Sequence, residues 1–261
     1  MKIGLSSAAF YSRAETEEQA KRLKNFHIDV CEIFLETHSE YNAAFGRLVK
    51  ENLGDLQCLS CHPKGTQFEP DLFGMSGRQT EDSFRIFQGA LEAGEALGAK
   101  WYIWHGPPAL TGPLTPSKIH QLGERFPLLQ QEAAKHGLEI LWENVNWCAV
   151  SSPDEVRELR SILPDIRFVL DVKQAFRGGE DPFKVLAAME DHVAHLHVLD
   201  WDDQGRMCLP GQGSLDFRRL IGQLRDQGFD GTLMMEPYPA LTKNDEDVQR
   251  ALDFMREAAQ A

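Results

Sequence analysis

The sequence predicts a (β/α)8 barrel that occupies residues 1–261 as one domain. Short apolar runs alternate with longer amphipathic stretches, and this pattern repeats eight times in 261 residues. Barrels of this class commonly contain about 200–250 residues. An open, doubly wound sheet is the alternative for such units. No Gly-x-Gly-x-x-Gly follows a predicted strand, and no linker or low-complexity tract divides the chain.

The strands are predicted from eight short apolar runs. They cover 2–6, 28–34, 56–61, 100–105, 138–143, 166–171, 193–199 and 231–236. Between and after them, amphipathic patterns predict helices near 16–25, 40–52, 80–97, 116–136, 153–162, 182–190, 215–227 and 245–259. Strict strand–helix alternation favours parallel strands joined by helical crossovers.

Two kinds of signal mark the helix ends. Gly98, Gly137 and Gly228 come directly after helical runs, where a left-handed C-terminal cap is favourable. The segment Ser152-Pro153-Asp154-Glu155 is typical of a helix start, with serine as the cap and proline in the first turn.

Composition argues against several classes of partner. The net charge of −13 and the pI of about 5.1 disfavour a nucleic-acid partner, because an acidic surface repels phosphate backbones. No apolar run approaches the length of about 20 residues that a membrane span needs, and MKIGLSSAAF reads as a strand rather than a signal peptide. The five scattered cysteines predict free or buried thiols, including the pair Cys58 and Cys61, and indicate a cytoplasmic protein.

Acidic and imidazole side chains lie at the ends of six predicted strands. They are His62, His105, Glu143, Asp171, His197 and Glu236. The carboxyl ends of barrel strands surround the active site, so these side chains should converge on one small mouth. Carboxylates that face one another repel unless a cation or protons lie between them.

We therefore expect one divalent metal ion on Glu143, Asp171, His197 and Glu236. This set suits Mn²⁺, Mg²⁺, Co²⁺, Fe²⁺ or Zn²⁺, and four protein ligands leave room for two substrate oxygens in an octahedral site. The alternative is a set of salt-bridged rim residues. His195 shares a strand face with His197 and is expected to be structural, one layer deeper.

Other residues near the strand ends have two readings each. His62 and His105 are followed by Pro63 and Gly106, so either histidine could belong to a loop. The tryptophans near strand ends could form an apolar wall beside a sugar or pack between barrel and helices; they are Trp104, Trp142 and Trp147.

The stretch from His195 to Glu236 resembles the xylose-isomerase-like barrel superfamily. That superfamily contains sugar isomerases, ketose 3-epimerases, inosose dehydratases and apurinic endonucleases. HLHVLD, LPGQGSLDF and GFDGTLMMEPY follow its order of a histidine ligand, a loop, a Pro-Gly-x-Gly segment and a strand ending in glutamate. Glu143-Asn144 and Asp171-Val172-Lys173-Gln174 match its fifth and sixth strand ends, and the resemblance covers essentially the whole chain.

The resemblance implies metal ligation by the same four residues. In the epimerase branch the two glutamates also act as acid and base on opposite faces of the substrate, and a proton moves through a cis-enediolate. Here these catalytic residues would be Glu143 and Glu236. Contacts with a small sugar or polyol substrate are expected from His62, His105, Lys173 and Arg206.

The sequence departs from the three-zinc endonuclease branch. Gln174 replaces a histidine, and an Asp-x-His pair falls on Gly205 and Met207, so the third zinc would lose its ligands. Nuclease activity is therefore not expected. A second ion on His62, His105 and Glu143 stays open.

Three hypotheses for the function follow. The first is a metal-dependent sugar, polyol or keto-sugar isomerase or epimerase. The second is an inosose-type dehydratase that uses the same site, and the third is a non-catalytic barrel that binds a metal and a small molecule. Specificity is expected in loops 63–78, 106–115 and 201–210, and a homo-oligomer is left open by the family resemblance.

Overall fold

The predicted (β/α)8 barrel is confirmed by a computed structural model that describes residues 1–74, 76–108 and 115–260. The strands are β1 (Lys2–Ser6), β2 (Val30–Leu35), β3 (Cys58–Pro63), β4 (Trp101–Trp104), β5 (Glu139–Glu143), β6 (Phe168–Asp171), β7 (Val193–Val198), β8 (Asp200–Trp201), β9 (Met207–Cys208) and β10 (Thr232–Met235). Eight of them are parallel and close in the order β1-β10-β7-β6-β5-β4-β3-β2, and β8 and β9 form a separate antiparallel hairpin.

Every predicted helix is present, and among the described residues one short α-helix was not predicted. They are α1 (Thr16–Leu23), α2 (Ala43–Leu53), α3 (Gly77–Leu97), α4 (Pro116–Lys135), α5 (Pro153–Ile162), α6 (Val172–Arg177), α7 (Pro182–Met189), α8 (Phe217–Asp226) and α9 (Asp245–Gln260). The unpredicted helix is α6, which begins directly after β6 because the Asp171 side chain caps its first turn.

The second and third strands lie later in the chain than predicted. Asp29 is outside β2, because its carboxylate accepts a hydrogen bond from the Ile3 backbone and pairs with Arg256. β3 begins at Cys58 and continues to Pro63, so His62 lies within a strand and the loop reading of this histidine is wrong.

The predicted helix ends are confirmed. Ser152 caps α5 by accepting a hydrogen bond from the Glu155 backbone, and the Glu155 carboxylate accepts one from the Ser152 backbone. Gly98, Gly137 and Gly228 have φ angles of 75°, 69° and 74°. A side chain would be strained in that left-handed conformation.

Apolar side chains pack on both the inner and the outer side of the barrel strands. The inner layer fills the barrel with Val30, Leu59, Trp101, Ile103, Leu141, Val169, Ala194 and Met234. Trp104 and Trp142 point outward and lie 6.4 and 5.1 Å from the Phe126 ring of α4. These two tryptophans therefore pack between barrel and helices, whereas Trp147 is 40% exposed and lies 6.0 Å from the His105 ring.

All five cysteines are unpaired, as predicted. Among residues 1–74, 76–108 and 115–260, no helix has the length and apolar character needed to cross a membrane.

Candidate active site and metal centre

The barrel interior changes from apolar to charged along the strands. Side chains two residues apart on a strand point to the same face. In five strands an inward apolar residue is followed by an inward polar one: Val30 and Glu32, Ile103 and His105, Leu141 and Glu143, Val169 and Asp171, and Met234 and Glu236. The polar layer therefore lies at the carboxyl ends of the strands, which is where enzymes of this fold place their active sites.

Strand register brings the four predicted ligands together. Asp171 pairs with His197 across β6 and β7, and His197 pairs with Met234, two residues before Glu236. Glu143 pairs with Val169, two residues before Asp171. One ligand atom from each of the four residues lies within 4.8 Å of the others, and all four side chains are buried.

His197 is surrounded by carboxylates. Its Nδ1 lies 3.0 Å from Glu143 Oε1 and 3.6 Å from Glu236 Oε2, and its Nε2 lies 3.1 Å from Glu32 Oε2. Burial alone would lower the pKa of His197, but the charges of Glu32, Glu236 and Glu143 raise it well above its usual value. Nδ1 therefore faces the other predicted ligands, and Nε2 faces an outer carboxylate.

Asp171 is held in place by its neighbours on both sides. Its backbone N–H donates to Asn144 Oδ1 (2.8 Å), and Asn144 Nδ2 donates to its carbonyl oxygen (3.0 Å). Its Oδ1 accepts from the Gln174 backbone at 2.9 Å. Burial raises the pKa of Asp171 to about 7; the Lys173 charge opposes this rise, and Glu143 and Glu236 add to it.

Lys173 lies buried between two of the predicted ligands. Its ammonium donates to Glu236 Oε2 at 2.6 Å and lies 3.0 Å from Asp171 Oδ2. Burial favours ionisation of neither partner, yet the Lys173 and His197 charges hold the pKa of Glu236 well below its usual value. Burial also raises the pKa of Glu143, but the charge of His197 and its hydrogen bond outweigh this effect and lower the pKa to about 2.

His62 and His105 complete one side of the cluster. Their Nε2 atoms are 2.8 Å apart, so one proton can lie between them. Burial lowers the pKa of His62, but its contacts with Glu236 and Glu32 raise it to about 10. Together with Glu143 these histidines form a second group whose ligand atoms lie within 4.8 Å of one another.

Sequence reasoning missed two buried glutamates. Glu32 accepts a hydrogen bond from Ser60 Oγ (2.7 Å) and lies 3.5 Å from His62 Nδ1, as well as next to His197. The sequence does mark Glu32, because it is the one charged residue in the otherwise uncharged strand VCEIFL. Burial opposes ionisation of Glu32, but the His197 charge and its histidine hydrogen bonds hold the pKa well below its usual value.

The second missed residue is Glu69, on the loop after β3. Its Oε2 lies 3.5 Å from His105 Nδ1 and accepts a hydrogen bond from the His105 backbone (3.3 Å). A Cβ atom on Gly65 would lie 2.0 Å from the Glu69 carboxyl carbon, so only glycine leaves room for this carboxylate. No periodic pattern in the sequence marks such a loop residue.

Arg206 is not brought to the cluster. It lies on the turn between β8 and β9, its side chain is 72% exposed, and its guanidinium pairs with Asp202 at 2.7 Å. His62, His105 and Lys173, the other residues expected to contact substrate, do lie in the cluster. Of the loops expected to set specificity, Met75 and 109–114 lie outside the described residues.

The residues present fit a divalent cation. In the part of the chain that the structure describes, the buried Glu143 Oε2 accepts no hydrogen bond, and His105 Nε2 lies 3.4 Å from it. Asp171 Oδ2 has the Lys173 ammonium at 3.0 Å as its partner. A buried acceptor without a partner costs about 1–3 kcal/mol. A cation at this point would offset that cost and the mutual repulsion of the carboxylates.

We predict that Glu32→Gln lowers divalent-metal affinity by roughly 10- to 100-fold, which is the usual contribution of a partner behind a metal ligand. The neutral amide would orient the His197 ring less strongly and reduce the basicity of its Nδ1. Titration with Mn²⁺ in a calorimeter measures the change. Glu40→Gln is the matched control, since Glu40 is also buried but lies outside the cluster. Equal affinities for wild type and Glu32→Gln would contradict this role.

Two cavities lie at opposite ends of the barrel. One, of about 270 Å³, opens beside Glu236 and Lys173 at the carboxyl ends of the strands. The other, of about 450 Å³, lies at the amino ends and is lined by residues such as Lys2, Lys100 and Thr232. The larger cavity is remote from the buried charged cluster, and we assign the chemistry to the smaller one because barrel enzymes react at the carboxyl ends.

The sequence is similar to curated proteins named inosose dehydratase. The chain is similar to inosose dehydratase of Lacticaseibacillus casei, with 22% identity over 138 residues, or 45% of this chain and 44% of that protein. The chain thus spans about half the length of the curated relatives it matches. Those relatives are named as enzymes.

Solved structures match over the whole barrel. A D-psicose 3-epimerase crystallised in the presence of D-fructose covers 100% of both chains, with a TM-score of 0.80 and 14% identity. The IOLI protein with a bound zinc atom covers 99% of this chain and 96% of that chain, with a TM-score of 0.75 and 17% identity. At these identities the likeness shows a shared fold. The model of the xylose isomerase-like TIM barrel family matches residues 19–258, and the chain therefore belongs to that family.

Proposed function

We propose that this protein is a divalent-metal-dependent isomerase or epimerase of a sugar, polyol or keto-sugar. One observation carries the proposal: Glu143 of β5 and Glu236 at the end of β10 are both buried and both lie against His197. Strands β5 and β10 are not neighbours in the barrel, so the two carboxylates reach the centre from different sides. A protein that only bound a small molecule would have no need of two opposed bases.

The proposed holding site is Glu143, Asp171, His197 and Glu236. When bound, the ion would polarise a substrate carbonyl and the neighbouring hydroxyl, which acidifies the C–H bond at the hydroxyl-bearing carbon. Glu143 is ionised at neutral pH and offers one oxygen as a ligand atom, so its other oxygen can accept this proton. Glu236 passes a proton from the Lys173 ammonium, which donates to it at 2.6 Å, to the opposite face. Glu143 then loses its proton to solvent and Lys173 regains one, which restores the starting protonation states.

The second candidate is a dehydratase, and the names of the curated relatives favour it. Such a lyase begins with the same proton abstraction. An acid then protonates the hydroxyl that leaves from the neighbouring carbon. Lys173 and His62 are both buried in the cluster and protonated, so either one is a candidate for this acid. The same residues therefore support either outcome.

Incubation of the Mn²⁺-loaded protein with ketoses, aldoses and inososes separates the candidates. We expect a product of unchanged mass, seen by mass spectrometry and assigned by NMR. Loss of 18 mass units would assign the dehydratase instead, and a panel left entirely unchanged would contradict both enzymes. An abasic DNA duplex serves as the negative arm, because Gln174, Gly205 and Met207 replace ligands of the nuclease branch.

A further inference from the structure

We propose that the 270 Å³ cavity beside Glu236 binds an anionic group at the far end of the substrate, and that Lys64 is the residue that selects it. The anionic group is a carboxylate or a phosphate, both of which present negatively charged oxygens. This inference rests on the proposed function, because it concerns the substrate of the same site.

The cavity connects the candidate active site with the surface. Its inner end is formed by the buried side chains of Lys173 and Glu236. Its walls are mostly apolar or aromatic: Ala8, Tyr11, Phe34, Pro237, Tyr238 and Pro239. A sugar skeleton fits between such walls, whose ring faces accept its C–H groups.

Lys64 is the more exposed of the two lysines that line the cavity. Its ammonium donates a hydrogen bond to the Tyr11 hydroxyl at 2.9 Å and lies 5.4 Å from the centre of the same ring. Among residues 1–74, 76–108 and 115–260, no carboxylate lies within 4.0 Å of this ammonium. An ammonium has three donor hydrogens, so Lys64 keeps donors for a ligand.

A second cation, Arg177, contacts the wall residue Tyr238 without lining the cavity itself. Arg177 donates a hydrogen bond to the Tyr238 hydroxyl, and its guanidinium lies 5.8 Å from the centre of that ring. Lys173 lies 5.3 Å from the same ring, on the inner side. Both tyrosines of the cavity wall therefore bind a cation through the phenol oxygen.

The contrast between the two lysines indicates what each one binds. Lys173 is compensated by two carboxylates and holds the catalytic end together. Lys64 is partly exposed and has only a neutral partner in the described structure. A neutral hydroxyl gains little from such an ammonium, whereas a charged oxygen gains a charge-assisted hydrogen bond. The protein as a whole is strongly acidic, so an anion entering here needs local positive charge.

The test compares three probes that differ only at C6: D-fructose, D-fructuronate and D-fructose 6-phosphate. Their dissociation constants are measured calorimetrically with Mn²⁺-loaded protein, for wild type, Lys64→Gln and Lys24→Gln. Lys24 is exposed at the end of α1 and controls for the loss of one charge. We expect at least one anionic probe to bind roughly 10- to 100-fold more tightly than D-fructose. Lys64→Gln should remove most of that preference, and Lys24→Gln should keep it.

The outcomes separate this inference from the proposed function. Preference for D-fructuronate or for D-fructose 6-phosphate tells which anionic group the site takes. Equal binding of all three probes, no binding of any, or an equal loss with all three in Lys64→Gln would overturn the role of Lys64. The readout is binding, so the role of Lys64 can be judged even if the protein turns over none of the probes. Turnover of neutral ketoses alone would support the isomerase and contradict an anionic substrate.

Discussion

Glu143→Gln and Glu236→Gln are each expected to lower kcat/KM for proton exchange by roughly 10²- to 10⁴-fold, the usual contribution of general acid–base catalysis. The amide has nearly the shape of the carboxylate but cannot accept the proton. Both side chains are buried, and both contact His197, so each change also weakens the metal site. The decrease in kcat/KM should therefore lie near the upper limit of this range, about 10⁴-fold.

The measurement is incubation of active substrates in D₂O with Mn²⁺, followed by NMR. Wild type should introduce deuterium at the carbon next to the carbonyl. Glu81→Gln, a change of an exposed glutamate on α3, should behave as wild type. If product forms with the original hydrogen retained at that carbon, the reaction is a hydride shift, and the two-glutamate mechanism is wrong.

Asp171→Asn is expected to remove the divalent ion that each wild-type chain should bind. Asparagine is as good a helix N-cap as aspartate, so the first turn of α6 and the hydrogen bond from Gln174 should survive. The lost charge is that of a ligand, and the loss of affinity should exceed the 10- to 100-fold expected for Glu32→Gln. Elemental analysis and metal-dependent melting measure this, with Asp82→Asn as the exposed control.

Titration of the wild-type protein with Mn²⁺ should release protons, and the metal should bind more strongly at higher pH. Without metal, His197 is protonated at neutral pH, because Glu32, Glu236 and Glu143 raise its pKa despite burial. Asp171, with a pKa raised by burial to about 7, is partly protonated there as well. A cation needs the ionised carboxylate and the neutral imidazole, so it must displace these protons. Apparent affinity should therefore already decrease with falling pH around neutrality, where His197 carries a proton, and decrease more steeply below about 7, where Asp171 is protonated as well.

Calorimetry in buffers of different ionisation enthalpy counts the protons released. Affinity that does not change between pH 6 and pH 8 would show that neither group binds the ion. In wild-type protein, a metal present at about 100 times its Kd should stabilise the fold by about 2.7 kcal/mol. No metal in the purified protein and no effect of chelators on melting would contradict the site.

The strand ends could be predicted from the sequence because the fold repeats a simple rule. Each apolar run ends in a side chain that the closed barrel must place at the same rim, so Glu143, Asp171, His197 and Glu236 were found without coordinates. The alternation of inward and outward side chains also predicted that His195 lies one layer below His197. Both rings are buried, and their centres are 5.3 Å apart.

Barrel closure decided what alternation alone could not predict. Glu32 and His197 are 165 residues apart in the chain, and only closure of the barrel places the β2 carboxylate 3.1 Å from the β7 imidazole. Glu69 reaches His105 from a loop whose path depends on the room left by Gly65. Arg206 matched a family position by sequence, yet its hairpin turns the guanidinium toward Asp202 and solvent. Local pattern specifies which face a strand residue occupies, whereas contacts between distant strands and the course of loops depend on the packing of the whole chain.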